Sequence, residues 1–389
     1  MPVHSPSSWN YPTPIHFGPG RIKELPDCCK ELGIQRPLLV TDPGIAQLPI
    51  LSAALEANKL ANISTAVFSN IQANPNGVNI EEGVRTFRDG GHDGVIAFGG
   101  GSGIDAGKAI ALMAGQSRPL WDFEDVGSNW KRVDPDGVAP IIGVPTTSGT
   151  GSEVGRASVI LDEAAGVKRI IFHPTMLPGR VICDPELTVG LPSHITAAVG
   201  MDALSHNLEA ICAPGNHPLA DGIAAEGIRL INEHLVQAVR DPNNIEARSG
   251  MMSASLMGAT AFQKGLGAMH SMAHVIGAKL HAHHGLINAV VMPYVLCANR
   301  SAVADKMTRL SRYLDLPDPS FMAFLDWVLA LRNELEIPHT LKDLGVTHAH
   351  ISDFAPAAVL DPSTGTNPLP FGTAEFSELF SNSIDGSLT

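Results

Sequence analysis

Five short runs of β-branched and aliphatic residues constrain the first half of this chain: "PLLVTD" (37–42), "STAVFS" (64–69), "DGVIAFGGG" (93–101), "PIIGVPTT" (140–147) and "GRVICDP" (179–185). They are continuous in hydrophobicity rather than alternating, and helix-length segments separate them. Strands buried on both faces read this way, and their alternation with helices predicts a parallel α/β sheet. In such a sheet ligands gather beyond the carboxyl ends of the strands.

After "DPELTVGLPSHI" (184–195) strand-like runs become scarce, and Ala, Leu, Met and His recur at helical spacing through "AAVGMDALSHNLEAICA" and "SGMMSASLMGATAFQKGLGAMHSMAHVIGAKL". The chain, at 389 residues, is long for one core, so two domains are expected. Pro185, Gly190 and Pro192 break regular structure between them. We divide the chain into residues 1–188, a Rossmann-like parallel-sheet α/β domain, and residues 189–389, an all-α domain. The tail from about Ser363, rich in Ser, Thr, Gly and Pro, is expected to be loosely held, with "AEFSELF" (374–380) forming one or two amphipathic turns.

A formal charge of −13 with no cluster of Lys or Arg argues against a general nucleic-acid or anionic-membrane role, because a phosphate surface rewards concentrated positive charge. No run of eighteen apolar residues occurs, so no membrane span is expected. The five cysteines form no C-x-x-C pair, which argues against a disulfide framework or a zinc knuckle. "MPVHSPSSWNYPTP" lacks the basic-then-apolar order of a secretory leader. The cytoplasm is the expected location, and small-molecule chemistry the expected work.

Two loops carry that chemistry. "FGGGSGIDAGKAI" (98–110) follows a strand-like run and opens a helix, so its glycines permit close backbone approach while unpaired N–H groups face an anion. Gly101-x-Gly103-x-x-Ala106 satisfies the dinucleotide fingerprint but follows the third run rather than the first. Counting some twenty residues onward would nominate Asp122 or Glu124 for the ribose; Asp42, at the end of the first run, is the better partner. "VPTTSGTGSE" (144–153), with hydroxyl side chains and glycines beyond a buried strand, suits polar recognition of a sugar, pyrophosphate or carboxamide, or else simply caps a helix.

Five of the sixteen histidines fall within "MHSMAHVIGAKLHAHHG" (269–285). Asp202 and His206 stand four apart in one helical segment, His270 and His274 four apart in another, and His284 precedes Gly285, where a turn can return it to the same place. Neutral imidazoles and one carboxylate are the ligands that borderline divalent metals prefer. Spacing alone nominates His274 as readily as His270.

"GGGSGIDAGKA", "PTTSGTGSE", "DPELTVGLP", "GMDALSHNLEA" and "GLGAMHSMAHVIGAKLHAHHG" stand in the order seen in the iron-dependent (group III) alcohol dehydrogenases, which the chain resembles over roughly residues 10 to 360. The resemblance implies an N-terminal dinucleotide domain, a C-terminal helical metal-binding domain, and an active site between them. It makes Asp202, His206, His270 and His284 the metal ligands and leaves His274 as a proton-relay group. It places Gly99, Gly100, Gly101 and Ser102 around the pyrophosphate, Thr146 and Thr150 along the adenosine–nicotinamide path, Lys168 near a ribose, and Asp42 on the adenosine ribose, where a carboxylate would favour NAD over NADP. Arg169 could serve in place of Lys168. His281 and His283 have no counterpart role.

The implied activity is hydride transfer between NAD(H) and a short-chain primary alcohol or its aldehyde, with Fe2+, or alternatively Zn2+, as Lewis acid, in a homo-oligomer. An alternative within the family is an ω-hydroxy acid/semialdehyde dehydrogenase using Lys279, although ideal helical geometry turns Lys279 about 140° from His274. A metal- and NAD-dependent lyase of the dehydroquinate-synthase kind should show more basic residues in the His-rich segment. A non-enzymatic binding protein would leave the pairing of two sites unexplained.

Overall fold

The computed structural model describes residues 12–388; most of the N-terminal stretch "MPVHSPSSWNYPTP" lies outside them. Cα packing divides the chain into two compact units, the first ending at Gly190 and the second beginning at Leu191.

The first unit is built on a six-stranded sheet. Its strands are β1 (Ile15–Phe17), β2 (Pro37–Val40), β3 (Ala66–Phe68), β4 (Gly94–Gly99), β5 (Ile141–Pro145) and β8 (Arg180–Cys183), every pair parallel, in the order β1-β8-β5-β4-β2-β3. The five expected runs are all present; the short edge strand β1 was not foreseen. Side chains alternate between two apolar layers. Leu38, Val40, Val95, Ala97 and Ile141 face α3 (Gly77–Asp89) and α4 (Gly101–Met113). Leu39, Ile96, Phe98, Ile142 and Ile182 face α1 (Leu25–Glu31) and α2 (Pro49–Leu60). Helices on both faces are why the central strands read as continuous apolar runs.

From β2 the chain moves outward to β3, then returns past β2 to β4 and onward to β5 and β8. The helix after β2 packs on one face and the helix after β4 on the other, so the sheet has its topological switch point between β2 and β4. This explains why the Gly-rich loop follows the third expected run: β4, not the first strand of the sheet, flanks the crevice. Also unforeseen is an antiparallel hairpin, β6 (Ala157–Asp162) with β7 (Val167–Phe172), outside the main sheet.

The second unit holds α5 (Ser193–Cys212), α6 (Pro218–Arg240), α7 (Ile245–Ala261), α8 (Ala268–Leu280), α9 (His284–Ala298), α10 (Arg300–Tyr313), α11 (Phe321–Glu334), α12 (Ile351–Leu360) and α13 (Thr373–Asp385), and among the described residues no strand follows β8. Helix α5 is central, buried from Thr196 to Cys212 apart from Val199, and packs against α6, α7 and α9. A helix buried on nearly every side needs neighbours all round, and its buried polar residues, Asp202, Ser205, His206, Asn207 and Glu209, need partners among them. Its last carbonyls, of Ile211, Cys212 and Ala213, receive the Lys306 ammonium, and Lys264 adds a second bond to Ile211, cations complementing the negative end of the helix.

The tail departs from expectation. Glu375 caps the start of α13 through the Gly372 N–H, and Phe376, Leu379, Phe380 and Ile384 are buried on one face. Apolar residues at i, i+3, i+4 and i+8 outweighed the loop-like composition around them.

Candidate metal centre and dinucleotide seat

Asp202 and His206 lie one turn apart on α5, both nearly inaccessible, and His270 enters from the first turn of α8. One ligand atom from each of these three lies within 4.8 Å of the others. His284 begins α9, with Nε2 3.7 Å from Asp202 Oδ1 and its ring 5.3 Å from that of His270. The approach of α9 to α5 depends on Gly285: a Cβ there would meet Ala198 O at 2.4 Å and Asp202 Cβ at 2.9 Å. The His206 and His270 rings stack at 4.7 Å, and Phe262 covers His206 at 5.2 Å. Burial, and then the charge His206 could carry, push His270 well below the ordinary imidazole range, so its neutral form prevails.

Three further residues organise this cluster, and none was nominated from sequence. Glu209, buried on α5, accepts the Gly267 N–H at 2.9 Å, the Met269 N–H at 2.8 Å and the His270 Nδ1–H at 2.7 Å. With Nδ1 engaged, His270 has Nε2 as its remaining lone-pair atom, 3.4 Å from the Asn288 amide nitrogen. That nitrogen also lies 2.9 Å from Asp202 Oδ1 and 3.2 Å from His284 Nε2. Asp361 accepts the His274 Nδ1–H at 2.9 Å and the Ser363 N–H at 2.9 Å. Burial alone would raise Asp361; His274 and Ser363 outweigh it and hold the carboxyl below its usual range. Glu209 and Asn288 do leave a signal: Asp202, His206 and Glu209 follow the i, i+4, i+7 spacing of one helix face, and Asn288 stands one turn beyond His284. Asp361 leaves none, being 87 residues from His274.

His274 stands outside the converging group. Its ring stacks on His284 at 5.4 Å, but its Nδ1 turns to Asp361. His281 is exposed in a left-handed turn at the end of α8 (φ 54°), His283 caps α9 by accepting the Leu286 N–H, and Lys279 is exposed.

The donor set fits a divalent cation on this structure's own terms. It offers two buried imidazoles and a buried carboxylate, with a third imidazole beside them. Burial also pushes Glu209 up to about 7 despite its three donors, and a positive charge beyond His270 would return it to the ionised form.

In the first unit, Asp42 follows β2 at the switch point, and its Oδ1 accepts the Gly44 and Ile45 N–H groups at 2.8 and 2.9 Å. Gly99 closes β4 at φ 147°, a left-handed conformation that suits glycine. Gly100 then caps α4 without any side-chain hydrogen bond to the first turn, leaving that helix terminus to an anion. The Ser102 hydroxyl donates to Ala73 O. The Thr146 N–H donates to Gly99 O, joining the two loops, and Thr150 Oγ1 lies where a Cβ on Gly101 would be only 2.6 Å away. Lys168 is half-buried on β7, opposite Leu161 in the hairpin. Arg169 is engaged by Asp162 and Glu124, and Asp122 by Arg118, so these nominees for the cofactor have structural partners.

Comparison with known proteins places most of the chain in one family. Residues 12–185 match the family described as iron-containing alcohol dehydrogenase, and residues 196–384 the C-terminal family of Fe-containing alcohol dehydrogenases. The chain is 39% identical to a 4-hydroxybutyrate dehydrogenase from Cupriavidus necator, over 96% of its own length and 99% of the relative's. It superposes on the crystal structure of a 1,3-propanediol oxidoreductase with a TM-score of 0.93, at 32% identity, covering 97% of this chain and 100% of that one. On a sulfoacetaldehyde reductase from Bifidobacterium kashiwanohense in complex with NAD+ the TM-score is 0.88 at 27% identity, covering 99% and 100%. The chain belongs to the iron-containing alcohol dehydrogenase family, oxidoreductases that act on the CH–OH group.

Proposed function

We propose that this chain is a metal-dependent alcohol dehydrogenase and aldehyde reductase that exchanges hydride between NAD(H) and a short-chain primary alcohol or its aldehyde. The observation that carries the reading is the convergence of Asp202, His206 and His270 in a buried cluster, in a chain whose Gly-rich loop lies at the switch point of a parallel sheet. A bound divalent cation supplies a Lewis acid and NAD a hydride acceptor. Fe2+ is the first choice from the family, and Zn2+ suits the same ligands.

The chain's own residues do the remainder. In this reading Asp202, His206, His270 and His284 hold the cation, while Glu209 holds the His270 ring in one tautomer and orientation. His274, oriented by Asp361, carries the substrate proton between the site and solvent. The uncapped terminus of α4, with Gly99 to Ser102, receives the pyrophosphate, and Thr146, Thr150 and Lys168 line the rest of the dinucleotide. Asp42 still has one carboxylate oxygen for ribose hydroxyls, which favours NAD over NADP, and a neighbour in complex with NAD+ supports that preference. These assignments make residues 1–188 the dinucleotide domain and residues 189–389 the metal domain. No helix among the described residues is long and apolar enough to cross a membrane. We infer a cytoplasmic homo-oligomer, in keeping with five free cysteines.

A second reading, oxidation of an ω-hydroxy acid to its semialdehyde, is favoured by the 39% identity to a 4-hydroxybutyrate dehydrogenase. The lyase alternative has no support, since both family models are alcohol dehydrogenases. Transfer of deuterium from a C1-deuterated primary alcohol to NADH tests the reaction; NADH without label, or none formed across a panel of short alcohols, diols and hydroxy acids, would sink it. Comparing kcat/KM for 4-hydroxybutyrate and butan-1-ol separates the two substrate readings.

A further inference from the structure

Behind the metal cluster lies a buried polar network that the scheme above does not use. Helix α8 starts at Ala268, two residues before His270, and the residue at its cap, Gly267, has no side chain to offer. A helix start leaves four N–H groups without an internal partner. Here Glu209 accepts those of Gly267 and Met269, and Asn367 Oδ1, from 99 residues further along the chain, accepts that of Ala268 at 3.1 Å. Asn299, between α9 and α10, holds the Asn367 amide in place. Asn367 Nδ2 donates to Asn299 Oδ1 at 2.9 Å, and Asn299 Nδ2 donates back to Asn367 Oδ1 at 3.1 Å. The second amide hydrogen of Asn367 goes to Leu369 O at 2.8 Å and that of Asn299 to Val295 O at 3.2 Å. Both side chains are buried, and Asn367 has both hydrogens and both carbonyl lone pairs engaged.

Apolar side chains could hold the C-terminal segment without the desolvation cost of two buried amides, but they could not accept the Ala268 N–H. The amide pair permits one orientation only, because turning Asn367 over would set its NH2 against that N–H. Space is kept for the contact: a Cβ on Gly267 would meet Asn367 Oδ1 at 2.9 Å and Glu209 Oε1 at 3.0 Å. The same segment reaches α8 twice more, with Thr364 Oγ1 2.7 Å from Ser271 Oγ and Asp361 accepting from His274. His270 is thus bracketed by contacts at residues 268, 271 and 274. We propose that Asn367, locked by Asn299, is a positioning residue for His270, so that the C-terminal segment takes part in holding the metal. The inference rests on the ligand set proposed above. Fixing the first turn of α8 fixes the direction of the His270 ring, and a preorganised ligand leaves less ordering to the moment of binding.

The test measures Zn2+ affinity of the metal-stripped full-length protein by chelator competition, with the thermal midpoint of the metal-free form alongside. His270→Ala is the control: wild-type Zn2+ affinity there means that the ligand reading fails, and the proposal with it. If His270→Ala loses Zn2+, Asn367→Ala is expected to raise the Zn2+ Kd about fivefold or more, short of the roughly 10- to 100-fold cost of removing a ligand's direct partner. Asn367→Asp keeps an oxygen on the Ala268 N–H and loses both amide donors. It is expected to lower the thermal midpoint and yet keep the Zn2+ Kd within twofold of wild type, a split that a merely structural contact would not give. A smaller rise in Asn367→Ala, or a rise beyond twofold in Asn367→Asp, overturns the proposal. Should Asn367→Ala not fold, Asn299→Ala, which frees the Asn367 amide to rotate, decides by the same fivefold threshold.

Discussion

Replacing Glu209 by Gln should weaken metal binding more than it weakens the fold. The carboxylate serves three hydrogens: Gly267 N–H and His270 Nδ1–H meet Oε2, and Met269 N–H meets Oε1. A glutamine oxygen can keep the first two, but its NH2 then faces Met269 N–H, leaving one buried donor unsatisfied at about 1–3 kcal/mol. At roughly 2–4 °C per kcal/mol for a unit of this size, the metal-free melting temperature should fall by about 2–12 °C. The loss at the metal is separate. The His270 partner changes from an ionised to a neutral acceptor, and removal of such a carboxylate partner costs about 10- to 100-fold in affinity, or about 1.4–2.7 kcal/mol. Chelator competition with Zn2+ gives the affinity, and calorimetry of the metal-free protein gives the stability. A Zn2+ Kd within twofold of wild type, alongside the lowered melting temperature, would refute the reasoning and leave Glu209 as a brace for the start of α8.

Four other outcomes are expected. Ala at Asp202, His206, His270 or His284 should empty the metal site and abolish activity, whereas His281→Ala, at an exposed turn, should keep full metal content; elemental analysis showing occupied His270→Ala and His284→Ala would falsify the ligand assignment. Asp42→Ser should raise relative use of NADP by removing charge repulsion while a hydroxyl retains part of the cap on Gly44 and Ile45; a wild type using both cofactors equally would contradict it. Asp361→Asn should lower kcat up to about 100-fold with KM and metal content nearly unchanged, since it frees the His274 tautomer; an unaltered kcat would remove Asp361 from the relay. Glu226, held at about 2 chiefly by its hydrogen bond to Arg229, contributes stability above its unfolded value near 4.5 and loses it as pH falls toward 2. The pair is partly exposed, so Glu226→Gln should cost about 0.5 kcal/mol at pH 7 and clearly less at pH 2, where the folded-state carboxyl is about half protonated; an equal loss at both would contradict it.

Much of this architecture is legible in the amino-acid sequence. Continuous apolar runs separated by helix-length segments determine a parallel sheet covered on both faces, because only burial on two sides removes the alternation a half-exposed strand must show. Local spacing likewise joined Asp202 to His206 and His270 to His274, since residues four apart on a helix share a face. Local spacing could not go further. His270 and His274 are equivalent in sequence pattern, and what distinguishes them is which carboxylate meets each ring: Glu209 for one, Asp361 for the other, from 61 and 87 residues away. Asp42 and the Gly-rich loop stand far apart in the chain, and they became neighbours only because β4 returns beside β2. The buried bonds from Lys108 to Ser152 and Ala157 span 44 and 49 residues, leaving no periodicity to read. Hydrophobic pattern determines which face of an element is buried; the partner of each buried polar group depends on how distant elements pack, and only the tertiary structure decides that.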